Sequence, residues 1–156
     1  MKEKLLAGIL FLISLIIPVQ GFSQGFPLFG IKLGDTPGRV KALMTINADG
    51  FSLKEDLSHD NWILYQYHGN SVNLIFWFVN EKLSNVIGGC NSELRSFDSL
   101  ASEIRGNWGE PSQYAKPIEF ATWDVTVDFV VMQIFLFAQS KDGKKGYAIN
   151  ITEAEK

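Results

Sequence analysis

The sequence is poor in the two residue types that most often build cross-linked or metal-held frameworks, since it has one cysteine, Cys90, and two histidines. A single cysteine excludes an intramolecular disulfide. Structural zinc sites need several Cys or His ligands at short spacings, and no such spacing occurs. We therefore predict that apolar burial alone stabilises the fold, that Cys90 is a buried small hydrophobic residue, and that the protein binds no metal or other cofactor.

Positive charge is scarce as well. The chain has 14 basic and 17 acidic residues, a net charge of −3, and no lysine- or arginine-rich run. Binding to a nucleic-acid backbone requires a basic patch that neutralises phosphates. The composition therefore argues against nucleic acid as a partner.

Motifs of nucleophilic and phosphate chemistry are missing too. The chain has no Gly-x-Ser-x-Gly elbow, and no Gly-Lys-Ser/Thr follows Gly88-Gly89, which we interpret as a strand end or bulge. A nucleophilic Cys90 would need a base, and His59 and His68 fall in a predicted turn and at a strand end. We predict no catalytic residue.

Two clusters of titratable residues leave an alternative open. Asp124 and Asp128 lie among aromatic and branched residues and could form an acid–base pair, although Asp also favours hairpin turns. Asp56, His59 and Asp60 could hold a weakly bound ion, or simply form a solvated turn. An enzyme of unrecognised type, using Asp124, Asp128, His59 or His68, is therefore the third functional hypothesis.

Residues 1–23 have the three-part pattern of a secretory signal peptide. A lysine-containing start precedes an apolar run over residues 5–17, and the small-residue exit predicts cleavage after Ser23. The run is too short to cross a hydrocarbon core of about 30 Å, and Pro18 ends it. We predict one domain over residues 24–156, periplasmic or secreted, without a permanent membrane anchor.

Hydrophobic periodicity in that domain alternates between helix and strand. Thr36-Pro37 and Ser96 are capping signals for two amphipathic helices, the second of which ends at Trp108. Period-two segments bounded by turn residues predict strands over residues 51–57, 61–68, 72–79, 83–90, 118–125, 129–138 and 147–152. The predicted fold class is α+β, an α-β-β-β-β-α-β-β-β order in which a helix-then-meander unit occurs twice and the helices pack on one sheet face.

Two short motifs carry a resemblance to known proteins. Residues 30–36, Gly-Ile-Lys-Leu-Gly-Asp-Thr, resemble the turn and helix start of small exported bacterial domains of the BamE-like (SmpA/OmlA) type. Residues 108–111, Trp-Gly-Glu-Pro, resemble a helix exit found in such units, in the tandem units of the β-lactamase-inhibitor-protein fold, and in exported proteins of the Bacteroidetes type. The resemblance implies a non-catalytic exported module, although the lipidation cysteine of the BamE-like pattern is missing.

Aromatic residues are the feature in excess, with 12 Phe, 4 Tyr and 4 Trp. Most are expected in the core, because a domain without disulfides needs large apolar side chains. We predict that Trp62, Tyr65 and Tyr67 form a recognition surface on a sheet face, which makes the protein a binding module for an envelope or extracellular protein. The alternative is a carrier of a small apolar ligand, in which residues 74–79, apolar on both faces, line a cavity between sheet and helix.

Overall fold

Two α-helices, one short 3-10 helix at Lys116–Ile118 and eight strands make up the computed structural model of the chain, which describes residues 25–154. The predicted signal peptide lies outside the described residues. The elements are α1 Pro37–Asn47, β1 Ser52–His59, β2 Trp62–His68, β3 Asn73–Val79, β4 Lys82–Asn91, α2 Phe97–Trp108, β5 Gln113–Ala115, β6 Phe120–Val127, β7 Val130–Lys141 and β8 Lys144–Glu153. None of the helices in this part of the chain is both long enough and apolar enough to cross a membrane.

The strands form one antiparallel sheet in the order β1-β2-β3-β4-β8-β7-β6-β5. Each half of the chain is a four-stranded meander, and the two meanders join where β4 pairs with β8, with Val86 opposite Ile151 and Cys90 opposite Tyr147. Half of the described residues are in strands and a fifth in helices. The predicted α+β class with helices packed on one sheet face is therefore wrong, because a single continuous sheet dominates the fold.

The helices begin where the sequence predicts them. The Thr36 hydroxyl accepts a hydrogen bond from Arg39 N, and the Ser96 hydroxyl accepts one from Ser99 N. Each bond satisfies an amide that has no partner within the first helical turn. Helix α2 ends at Gly109, whose φ of 81° suits glycine.

The material that buries one side of the sheet is not a helix layer. Helix α1 buries only Val40 and Met44, and α2 buries four residues. The irregular segment before α1 buries more than α2 does, namely Phe26, Pro27, Leu28, Phe29, Ile31 and Asp35. The core thus consists of one sheet face covered by two short helices and an irregular segment. Helix periodicity in the sequence reveals the two helices but not the irregular segment, so the predicted helix layer was wrong.

Candidate functional site

The two faces of the sheet differ in what covers them. On the side that we call the core face, side chains from six strands, β2, β3, β4, β6, β7 and β8, are buried together with the helices and the segment before α1. The opposite side, the open face, carries the alternate residues of the same strands. Two of its rows cross all eight strands in register: Glu55, Gln66, Ile75, Ile87, Asn150, Phe135, Thr122 and Gln113 in one, and Ser52, His68, Asn73, Gly89, Ala148, Phe137, Phe120 and Ala115 in the other.

Large apolar side chains remain accessible on the open face. Trp77 is 37% exposed and Ile87 is 44% exposed. The indole rings of Trp62 and Trp77 stack with centroids 5.3 Å apart and planes 14° from parallel. His59 stacks on the other side of Trp62, with centroids 5.7 Å apart. These three rings form an aromatic ladder across β1, β2 and β3.

Small residues in the middle of the open face leave a depression between two groups of large ones. Gly89 and Ala148 lie opposite each other there, between Ile75 and Ile87 on one side and the half-buried rings of Phe135, Phe137 and Phe120 on the other. The depression has a volume of about 430 Å³. A surface of this shape can receive a protruding apolar group.

Polar groups on the open face are mostly uncharged, and some of them pair with each other. Gln66 and His68 share a hydrogen bond of 2.9 Å, and Gln133 Nε2 donates to Asp124 Oδ1 at 2.7 Å. Asn150 lies in the centre of the face, and its side-chain carbonyl oxygen is buried without a hydrogen-bond partner among the described residues. Such an oxygen costs free energy, since burial removes its water.

The structure separates the three residues predicted as a recognition surface. Tyr65 and Tyr67 are only 5% and 6% exposed and lie in the core, edge-to-face against Phe78 and Phe76. Burial raises the pKa of the Tyr67 hydroxyl. That part of the prediction is wrong. Trp62, three residues before Tyr65 in the same strand, lies on the other face and is half-buried in the aromatic ladder.

The doubly apolar strand β3 has one covered side and one accessible side. Leu74, Phe76 and Phe78 are fully buried in the core, so they fill the space in which the carrier hypothesis places a cavity. Trp77 and Val79 point to the open face and are partly exposed. The sequence analysis did not identify Trp77 as a surface residue. The available signal was its spacing of two residues from both Ile75 and Val79, which puts all three side chains on the same face of β3.

The candidate acid–base residues do not converge. His59 and His68 lie at opposite ends of the β1–β2 hairpin. Asp124 is exposed on β6, whereas Asp128 lies in the β6–β7 turn, where Lys32 Nζ donates to it at 3.4 Å. Asp124 and Asp128 thus lie near the opposite edge of the eight-stranded sheet from the two histidines.

The candidate metal ligands and the cysteine are also separate. Asp56 forms an ion pair with Lys41 of α1, and among residues 25–154 no three His, Cys, Asp or Glu side chains come together in a metal-binding arrangement. Cys90 is half-buried rather than fully buried. Burial raises the pKa of its thiol, which favours the unreactive protonated form.

Comparison of the chain with protein-family models, with curated proteins and with solved structures finds no match.

Proposed function

We propose that this protein is a non-catalytic binding module, periplasmic or secreted, that recognises another protein through the open face of its sheet. The export pattern of residues 1–23 supports the location. The resemblance of residues 30–36 and 108–111 to exported modules of the BamE-like type points the same way. The open face replaces the surface of Trp62, Tyr65 and Tyr67 expected from the sequence, and it retains only Trp62.

The observation that carries the proposal is the partial exposure of the stacked Trp62 and Trp77 beside Ile87. Leaving apolar surface in water costs about 25 cal/mol per Å². The accessible part of the tryptophan ladder therefore contributes nothing to the free energy of folding that its burial would supply. Large contiguous apolar patches on a folded monomer commonly mark interaction sites. Tryptophan is also among the residues that contribute most to binding energy at interfaces.

The charge distribution of the open face supports a protein partner. In the two register rows that cross all eight strands, Glu55 is the only acidic residue and no lysine or arginine occurs. Depletion of charge, with enrichment of aromatic residues, is typical of the centre of a protein–protein interface.

The test is site-specific photocrosslinking of the full chain in the cells from which it comes. Ile87 would be replaced by p-benzoylphenylalanine, and covalent adducts would be resolved by mass. We expect one discrete protein adduct, and we expect Trp77→Asp in the same chain to reduce its yield at least tenfold, since a buried unpaired charge opposes binding.

Ile46 provides the matched control, because it is an isoleucine on α1 that is 77% exposed and lies away from the sheet. The same crosslinker at position 46 should give no such adduct. Equal adducts from both positions, or no discrete adduct from position 87, would contradict recognition through the open face.

A further inference from the structure

Two lysines lie directly opposite each other at one edge of the open face. Lys141 ends β7 and Lys144 begins β8, and they are the register pair that flanks the Asp142-Gly143 turn. Both are exposed, and neither forms an ion pair with another described residue. Like charges directly opposite each other on neighbouring strands repel, so the free protein has an unfavourable cationic pair here.

The third lysine of this hairpin, Lys145, differs from Lys141 and Lys144 because a carboxylate neutralises its charge. Lys145 forms an ion pair with Glu119, and the hydroxyl of Tyr147 donates to the same carboxylate at 3.1 Å. The pKa of Glu119 is lowered chiefly by its hydrogen bond with Lys145. A carboxylate therefore pairs with this lysine on the core side of the hairpin, whereas on the open side no carboxylate of residues 25–154 forms an ion pair with Lys141 or Lys144.

The lysine pair is continuous with the centre of the open face. A second depression, of about 440 Å³, is lined by three lysines, Lys141, Lys144 and Lys145, and by one carboxylate, Asp142, so its charge is positive on balance. It shares Cys90, Asn91 and Gln139 with the central depression. Together they form a groove that runs from an apolar floor at Ile75 and Ile87 to a cationic end at the β7–β8 hairpin.

We infer that the open face binds a protein segment that places an apolar side chain over Ile75 and Ile87 and a carboxylate between Lys141 and Lys144. This inference rests on the proposed function and specifies the partner's chemistry. Charge complementarity selects the carboxylate, because it removes the repulsion between the two lysines and fixes the direction in which the segment lies in the groove.

A carboxylate fits the groove better than a phosphate backbone does. A nucleic-acid strand presents one phosphate after another and needs several cations in a row, but the groove has one cationic end and an uncharged remainder. The net charge of −3 would repel a polyanion further.

The test uses a displayed library of random dodecapeptides, selected against the immobilised wild-type protein at low salt. We expect the enriched peptides to combine an aromatic or branched apolar residue with Asp or Glu at a constant spacing. For a synthetic copy of the most enriched peptide, Lys141→Gln with Lys144→Gln should weaken binding about tenfold, and 0.5 M NaCl should remove most of this difference.

Lys54→Gln with Lys82→Gln is the matched control. It makes the same change in net charge at two other exposed lysines, neither of which forms an ion pair within the part of the chain that the structure describes. One lies on edge strand β1, and the other lies where β4 begins, at the opposite end of that strand from the groove's cationic end. The control variant should bind the peptide as the wild type does. Equal weakening by both variants would mean that only overall charge matters, and it would overturn the inference.

The outcomes also separate the inference from the proposed function. Peptides that lack an acidic residue but lose binding in an Ile87→Asp variant would overturn the carboxylate and leave the open face as the binding surface. Failure to enrich any peptide, or enrichment that Ile87→Asp does not affect, would count against both. Displacement of the peptide by a single-stranded oligonucleotide would show that any polyanion is accepted and would also overturn the inference.

Discussion

Strand β3 presents two apolar faces that serve different purposes. Its core side carries Leu74, Phe76 and Phe78, which have no exposure, whereas Trp77 and Val79 on its other side keep more than a third of theirs. A soluble sheet ordinarily shows water a polar face and keeps the apolar one inside. The comparison indicates that burial of the core face stabilises the monomer, and that the exposed apolar side chains of β3 on the open face serve a purpose outside the monomer.

The largest expected difference between the faces is between neighbouring aromatic residues of β3. Phe76→Ala should lower the free energy of unfolding by about 3–5 kcal/mol, because it leaves a cavity in the core. Trp77→Ala removes a larger side chain but should cost less, about 1–2 kcal/mol, because Trp77 already keeps 37% of its exposure and its loss leaves no closed cavity. Urea denaturation of the two variants measures both values.

A Trp77→Ala loss as large as that of Phe76→Ala would break the comparison. It would mean that the aromatic ladder is a second core of the monomer, and the proposed recognition surface would lose its main support. Ile46→Ala, at an exposed site on α1, gives the baseline for removing an exposed apolar side chain.

Two adjacent glycines on β4 sharpen the same comparison with the smallest possible change. A Cβ on Gly88 would lie 3.0 Å from Leu74 Cδ2 and 3.1 Å from Ile149 Cβ, whereas the nearest atom to a Cβ on Gly89 would be Tyr147 O at 3.8 Å. Gly88→Ala should therefore destabilise the protein by about 1–3 kcal/mol through overpacking. Gly89→Ala should be neutral or stabilise it by up to about 1 kcal/mol, because the unfolded chain loses freedom.

Thermal unfolding of the two glycine variants at one pH and salt concentration gives the ranking. An equal loss in both variants would show that the open side of β4 is as tightly packed as the core side. A loss in Gly89→Ala alone would reverse the assignment of the faces.

The helix caps and the positions of most strands could be predicted from the sequence, but the pairing of strands that are distant in the chain could not. Capping by Thr36 and Ser96 and the seven longer strands depend on neighbouring residues, so short-range patterns reveal them. The pairing of β4 with β8 joins residues about sixty positions apart, and nothing in either strand specifies the other. The three-residue strand β5 was missed because Lys116-Pro117 follows it directly and reads as a turn.

The candidate site shows the same limit on a single strand. Period two places Trp62 on the opposite side from Tyr65 and Tyr67, so the sequence already argued against one surface containing all three. Which side faces inward could not be decided, because β3 is apolar on both sides. The strand end or bulge predicted at Gly88-Gly89 is also wrong, since both residues pair regularly on each side and the nearby irregularity lies at Trp77/Phe78.

The smallest expected effect is a gain in stability from the open face itself. Asn150 lies between Ile87 and Phe135 in the register, and its carbonyl oxygen is buried without a partner. Asn150→Val replaces that group with a branched apolar side chain suited to a strand, so we expect the free energy of unfolding to rise by about 1 kcal/mol. Asn73→Val, on the same face where the residue is exposed, is the control and should change stability less. If Asn150→Val instead destabilised the protein, the asparagine would be satisfied in the monomer. If the variant stabilised the monomer and also weakened crosslinking at position 87, Asn150 would be a contact for the partner. Its unpaired oxygen would then lower the stability of the free protein but form a hydrogen bond in the complex.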